Sequence, residues 1–142
     1  MEQYDPLKLE NQLCFPLYAA SREVIKQYHP LLSELDLTYT QYVALMVLWE
    51  TGEISAKEMG ERLHLDSGTL TPLLKGLEKR GLVTRSRFEK DERVLMVRLT
   101  QKGEALKEKA ADIPSRAAAC IRLDPQEAAE LYRLLYKVLK SF

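Results

Sequence analysis

Apolar residues recur at helical spacing through most of the chain, and only the runs from Leu82 to Phe88 and Arg93 to Leu99 read as strand, rich in Val, Leu and Phe with interspersed polar residues. The pattern predicts a mainly α protein with a small β-hairpin. Asp5 and Pro6 read as the cap and first turn of a helix that reaches about Tyr28 through Leu13, Leu17, Val24 and Ile25. Pro16 costs that run a backbone bond, so a kink or a later start beside Cys14 is expected. His29 and Pro30 predict its end, with a short turn or helix over Leu31 to Leu35.

Capping signals divide the rest. Thr38 with Gln41 starts a helix that stops near Gly52, and Ser55 with Glu58, stapled by Ile54 and Met59, starts a short one to about Leu63. The next helix must begin around Ser67 to Thr69, because Pro72 is tolerable only near a first turn, and Gly81 ends it. From Thr100 a helix runs towards Ile113 and is bent or restarted at Pro114. Asp124, Pro125 and Glu127 open the last helix, with Leu131, Leu135, Val138 and Phe142 at helical spacing.

The 142 residues fit one domain, and 46% hydrophobic with 30% charged residues describe a folded chain. No apolar run approaches the ~20 residues of a membrane span and no signal peptide is evident, so a cytoplasmic protein is expected. The formal net charge is zero, which argues against nonspecific adhesion to nucleic acid or membrane. Its distribution is uneven: Arg62 to Arg98 holds nine Lys/Arg against five Asp/Glu, a mildly basic centre between acidic flanks. Cys14 and Cys120 are too few and too far apart for a disulfide framework, and with His29 and His64 they show no metal-ligand spacing. Each is a small buried hydrophobe or a reactive thiol. No cofactor or metal is expected.

On a helical wheel Leu70, Leu73, Leu74 and Leu77 share the core side of the central helix. The start and the opposite side carry Ser67, Gly68, Thr69, Thr71, Pro72, Lys75, Gly76 and Lys79, short groups and lysines that suit close approach to a groove, with Thr71 and Lys75 the base-edge candidates. Alone, this is an ordinary amphipathic surface helix. A short capped helix before it and a basic hairpin after it make the plan of a winged-helix DNA reader. In the hairpin Arg85, Arg87, Lys90 and Arg93 surround the tip, where Asp91 is placed to orient an arginine for a minor groove.

The stretch DSGTLTPLLKGLEKRGLVTR, then Asp91-Glu92-Arg93, Leu99-Thr100 and Lys102-Gly103, resembles the MarR-type winged-helix transcriptional regulators over nearly the whole chain. The resemblance implies a homodimer on a pseudo-palindromic double-stranded operator, with residues 1–36 and 101–142 as dimerisation helices and 37–100 as the DNA-binding winged helix of a single domain 1–142. Residues Leu13-Cys14-Phe15-Pro16-Leu17-Tyr18, with Tyr28 and Tyr39, look like the organic-hydroperoxide-sensing OhrR branch. That branch implies Cys14 as the peroxide sensor, Tyr28 and Tyr39 as hydrogen-bond partners of its sulfur, and a repressor that releases DNA when Cys14 is oxidised. Pro16 departs from the branch, where alanine is commoner.

A thiolate attacks the peroxide O–O bond and phenols stabilise it. Fourteen residues of helix would hold Tyr28 about 21 Å from its own Cys14, so if the pair that the resemblance implies forms, the tyrosine comes from the other subunit. Cys120 is either the resolving thiol of a disulfide or an idle cysteine. Two other functions fit: a regulator of the same fold sensing a phenolic or aromatic ligand among Tyr18, Tyr28, Tyr39 and Tyr42, and a thiol peroxidase-like enzyme, which the missing cationic partner for Cys14 disfavours.

Overall fold

The computed structural model describes residues 5–142. Helix α1 spans Cys14–Ser33, α2 Tyr39–Thr51, α3 Ala56–Leu63, α4 Ser67–Lys79, α5 Gln101–Ala110, α6 Ile113–Ala118 and α7 Pro125–Leu139. Strands β1 (Glu53–Ser55), β2 (Val83–Phe88) and β3 (Asp91–Leu99) form an antiparallel sheet in the order β1-β3-β2. The mainly helical winged helix-turn-helix read from the chain is the architecture observed. No described helix is long and apolar enough to cross a membrane.

The first segment differs from the expectation at both ends. Asp5 caps a separate turn, its Oδ1 accepting from the Leu7 amide at 2.9 Å, and a one-turn 3₁₀ helix follows at Leu9–Asn11. Helix α1 then starts at Cys14, which puts Pro16 within the first turn, where backbone N–H groups have no intrahelical acceptor to lose. His29 and Pro30 do not end α1. It continues to Ser33 with Pro30 inside it, because one missing bond is offset by seating Leu32, 1% exposed, in the core.

Thr38 forms a full capping box with Gln41, and Asp124 another with Glu127; Ser55 accepts from the Glu58 amide. Gly52 closes α2 at φ 76°. The residues that follow it form β1, absent from the expected two-stranded hairpin, with Ile54 buried opposite Val97. Three residues are too short for a periodicity to declare itself.

Leu45, Leu48, Met59, Leu74, Leu77, Leu82, Val83 and Val97 are all within 1% of complete burial, so one core joins α2, α3, α4 and the sheet. Gly103 lets α5 approach this core: a Cβ there would lie 2.3 Å from the Leu82 carbonyl oxygen and 2.6 Å from a Leu99 methyl. Helix α6 restarts after α5 and buries Ile113 and Ala117. Helix α7 buries none of its residues.

Candidate nucleic-acid interface and thiol site

Asp66 fixes the start of α4 by accepting the Thr69 amide at 2.8 Å, and those hydrogen bonds hold its carboxyl below the usual range. Leu70, Leu73, Leu74 and Leu77 face the core, while Ser67, Gly68, Thr69, Thr71, Pro72, Lys75 and Lys79 are exposed along the other side. Pro72 lies a turn and a half inside α4, where it forgoes a bond to the exposed Gly68. Gly76 belongs elsewhere than expected: half-buried, it lets Gln41 Nε2 of α2 approach to 3.3 Å of where its Cβ would stand.

Helix α4 stops because Gly81, at φ 73°, donates to the Glu78 carbonyl while Leu82 donates to that of Leu77. The chain thereby turns straight into β2. At the tip Arg93 and Asp91 form a fork, Nε to Oδ1 at 3.0 Å and an Nη to Oδ2 at 3.1 Å, with the Arg93 amide also donating to Oδ1. The pairing pushes Asp91 down and Arg93 up from their ordinary pKa values. Arg93 remains 90% exposed, so its orientation is set while its outer face stays open. Arg87 and Lys90 are exposed beside it.

Arg85 faces inward. Its guanidinium meets Glu78 Oε1 at 3.1 Å, its amide donates to Oε2 at 3.1 Å, and its side chain is only 19% exposed. It ties the wing to the last turn of α4 and is not an outward cation. Thr71, Arg85 and Arg93 lie on the wall of a cavity of about 900 Å³ between α3, α4 and the wing.

The thiol site is split along α1. Cys14 is exposed at the helix start. Tyr28, near its other end, packs edge-on against Tyr39 of α2 with ring centroids 5.0 Å apart, and Tyr42 lies 6.0 Å from Tyr28. Burial, then the neighbouring Tyr28, raises the Tyr39 phenol, and burial with both neighbours raises Tyr42, so both stay protonated donors at neutral pH. Because α1 is continuous from Cys14 to Ser33, about 21 Å of helix separates Cys14 from Tyr28 of the same chain.

Cys120, exposed just beyond α6, donates weakly to the Arg116 carbonyl at 3.8 Å, and Arg116 reaches Glu34 past the C-terminal end of α1 at 3.5 Å. Cys120 therefore belongs with the tyrosine end of α1, not with its own Cys14.

A family model for the transcriptional regulators SarA and Rot matches residues 26–110. The organic hydroperoxide resistance transcriptional regulator of Bacillus subtilis is 51% identical over 139 residues, 98% of this chain and 95% of that protein. The regulator SarZ of Staphylococcus aureus is 46% identical, over 94% of this chain and 91% of its own length. Reduced AbfR bound to DNA, a protein known from Staphylococcus epidermidis, superposes with a TM-score of 0.77 at 36% identity over 94% of this chain and 92% of that one; AbfR has also been solved with a disulfide formed. The chain belongs to the MarR/SarA family of winged-helix regulators. It is a transcriptional regulator, not an enzyme.

Within this family member, two structural residues escaped the sequence reading. Nothing in the sequence singled out Glu78, which anchors the wing through Arg85; the signal available was its place one turn before a Gly-terminated helix end. Arg80, beside the Gly81 stop, reaches back 45 positions to the Leu35 carbonyl.

Proposed function

We propose that this regulator is a dimeric repressor that binds double-stranded operator DNA through α4 and the wing and releases it when an organic hydroperoxide oxidises Cys14. The observation that carries the proposal is the split thiol site: a rigid α1 keeps Cys14 about a helix length from the paired phenols of Tyr28 and Tyr39, so a second copy is needed to complete it. The uncovered apolar face of α7 and the exposed Leu13, Phe15 and Leu17 at the start of α1 supply the surface for that copy.

In the reduced dimer the partner's phenols donate to the Cys14 thiolate. The thiolate attacks the outer peroxide oxygen, the O–O bond breaks, and the departing alkoxide takes a proton and leaves as the alcohol; the sulfur has lost two electrons as sulfenic acid. The Cys120 thiolate of the second copy then attacks that sulfur, forming S–S as hydroxide leaves with a proton as water. Oxidation of Cys14 breaks its contacts with the phenols and shifts the terminal helices, changing the spacing of the two reading heads, and the new bond then holds that displacement.

On DNA, Thr71 and Lys75 reach base edges, with Ser67, Gly68, Thr69, Pro72 and Lys79 at the groove and the Asp91-oriented Arg93, Arg87 and Lys90 on the adjacent backbone or minor groove. Arg85 is left out of that set because Glu78 holds it inward. The ring-to-ring packing of Tyr28, Tyr39 and Tyr42, rather than rings spaced around a ligand, favours the thiol reading over a phenolic effector.

The test uses a duplex selected from a random-sequence pool by the reduced protein, with binding followed by fluorescence anisotropy before and after cumene hydroperoxide. Wild type should lose affinity, Cys14→Ser should bind and ignore the oxidant, and Cys120→Ser should respond without a disulfide-linked dimer. A Cys14→Ser protein that peroxide still strips from DNA would sink the proposal.

A further inference from the structure

One side chain joins the end of α1 to the end of α4. Beyond Ser33 the chain closes in a left-handed turn: Asp36 donates to the Ser33 carbonyl at 3.1 Å and Leu37 to that of Leu32 at 3.0 Å, with Asp36 at φ 55° where glycine would be easier. Arg80, the residue that caps α4, takes the two carbonyls of this turn. Its Nη1 donates to Asp36 O, its Nη2 to Leu35 O at 3.1 Å, and the Asp36 carboxylate lies 4.0 Å from the same guanidinium. The corner is held from the other side by α5, where Lys102 Nζ donates to the Arg80 carbonyl at 2.8 Å and the Thr100 hydroxyl to that of Gly81 at 2.6 Å.

We propose that Arg80 is the positioning residue that transmits movement of α1 to the reading helix. The proposal rests on the function proposed above, in which α1 carries the sensor. Apolar contacts between packed helices allow sliding, whereas two charge-assisted bonds from one planar fork fix both distance and direction. A shift of Leu35 and Asp36 must therefore break that fork or carry the C-cap of α4 with it. Glu78, two residues before Arg80, holds Arg85 of the wing, so α4 and the wing move together. Displacement at the C-cap is felt along the 13 residues of α4, about 20 Å, up to its groove-facing start at Ser67.

The experiment compares wild type, Arg80→Met, Arg80→Lys and Arg62→Met. Arg62→Met removes an ion pair with Glu50 inside the reading head and serves as the control. Each is oxidised with cumene hydroperoxide, Cys14 modification is followed by intact mass, and affinity for the selected duplex is measured in both states. Wild type should show an oxidised-to-reduced ratio within the usual allosteric range of about 5- to 150-fold.

Arg80→Met should oxidise Cys14 at the wild-type rate yet lose most of that ratio, Arg80→Lys should fall between, and Arg62→Met should match wild type. Equal release of wild type and Arg80→Met, or an equal loss in Arg62→Met, overturns the proposal. Should Arg80→Met fail to fold, a full ratio in Arg80→Lys overturns it.

Amide exchange on the reduced proteins separates the two readings. Duplex binding at α4 should slow exchange of Asp36 and Leu37 in wild type and not in Arg80→Met. If wild type is not released by peroxide, the sensing function fails while this protection still supports Arg80 as the joint. Equal protection in both proteins overturns the joint.

Discussion

The reading head and the terminal helices are built from the same kinds of residue and finish differently. From Leu32 to Ala117 the chain closes its own core, with Leu45, Leu48, Met59 and Leu77 at 0% exposure. Before Leu32 α1 buries no residue, and α7 leaves Leu131, Leu134, Tyr136 and Val138 between 42% and 49% exposed. The head is a finished folding unit. The terminal layer leaves its apolar face uncovered, and Cys14 lies in it, apart from the tyrosines of the candidate thiol site. Under the proposed function, a sensor completed by a second copy would act on the relation between two copies, which is the quantity a paired reader of DNA responds to.

The sharpest way to break this comparison is to cut the same side chain from both regions. Leu74→Ala, at 1% exposure in the head, should cost about 2–5 kcal/mol of unfolding free energy through lost transfer energy and a residual cavity. Leu134→Ala in α7 should cost less, and the loss should shrink on dilution if, as proposed, the burial it removes lies between copies. Urea titrations at two protein concentrations measure both. A concentration-independent loss at Leu134 equal to that at Leu74 would mean that α7 is packed within its own chain.

A charge in the open layer sharpens it further. Leu134→Asp should convert a dimer into a folded monomer, read by sedimentation velocity, with the near-ultraviolet signal of Trp49 retained. Trp49 is anchored inside the head, its indole N–H donating to the Gly103 carbonyl at 3.0 Å. Specific operator affinity should fall with the dimer, since one head contacts one half-site.

How legible each region was follows the same division. Caps at Thr38, Ser55 and Asp124, the leucine stripe of α4 and the Gly81 stop are local devices written in four or five consecutive residues, so the sequence alone placed them. The run of α1 through Pro30 could not be read that way: the local penalty is visible, but the compensating burial of Leu32 is supplied by residues far along the chain. Strand β1 exists because β3 is there to pair with it. The side chains of the reading face and the thiol site were legible as chemistry, through Cys14, the tyrosines and the lysines of α4. Which arginine points out was not: the Asp91 partner of Arg93 is two residues away and visible in the sequence, whereas only the fold brings Glu78 of α4 to Arg85.

The smallest effect tests that last distinction by pH. Glu78 is held below the ordinary carboxylate pKa, first by its hydrogen bond with the Arg85 side chain. A carboxyl with a lower pKa folded than unfolded adds stability above its unfolded value, near pH 4.3, and that contribution is lost as pH falls through the folded value. The tie between wing and α4 should thus be intact at neutral pH and loosen only in acid. Because the Arg85 amide donates to Glu78 Oε2, its exchange, corrected for intrinsic pH dependence, should rise below about pH 4 while that of the core strand residue Val97 does not. Glu78→Gln should show the looser wing at every pH, with the acid step gone. An Arg85 amide that stays equally protected in Glu78→Gln and in acid would assign the attachment of the wing to β2–β3 pairing alone, and would return Arg85 to the set of cations free to meet DNA.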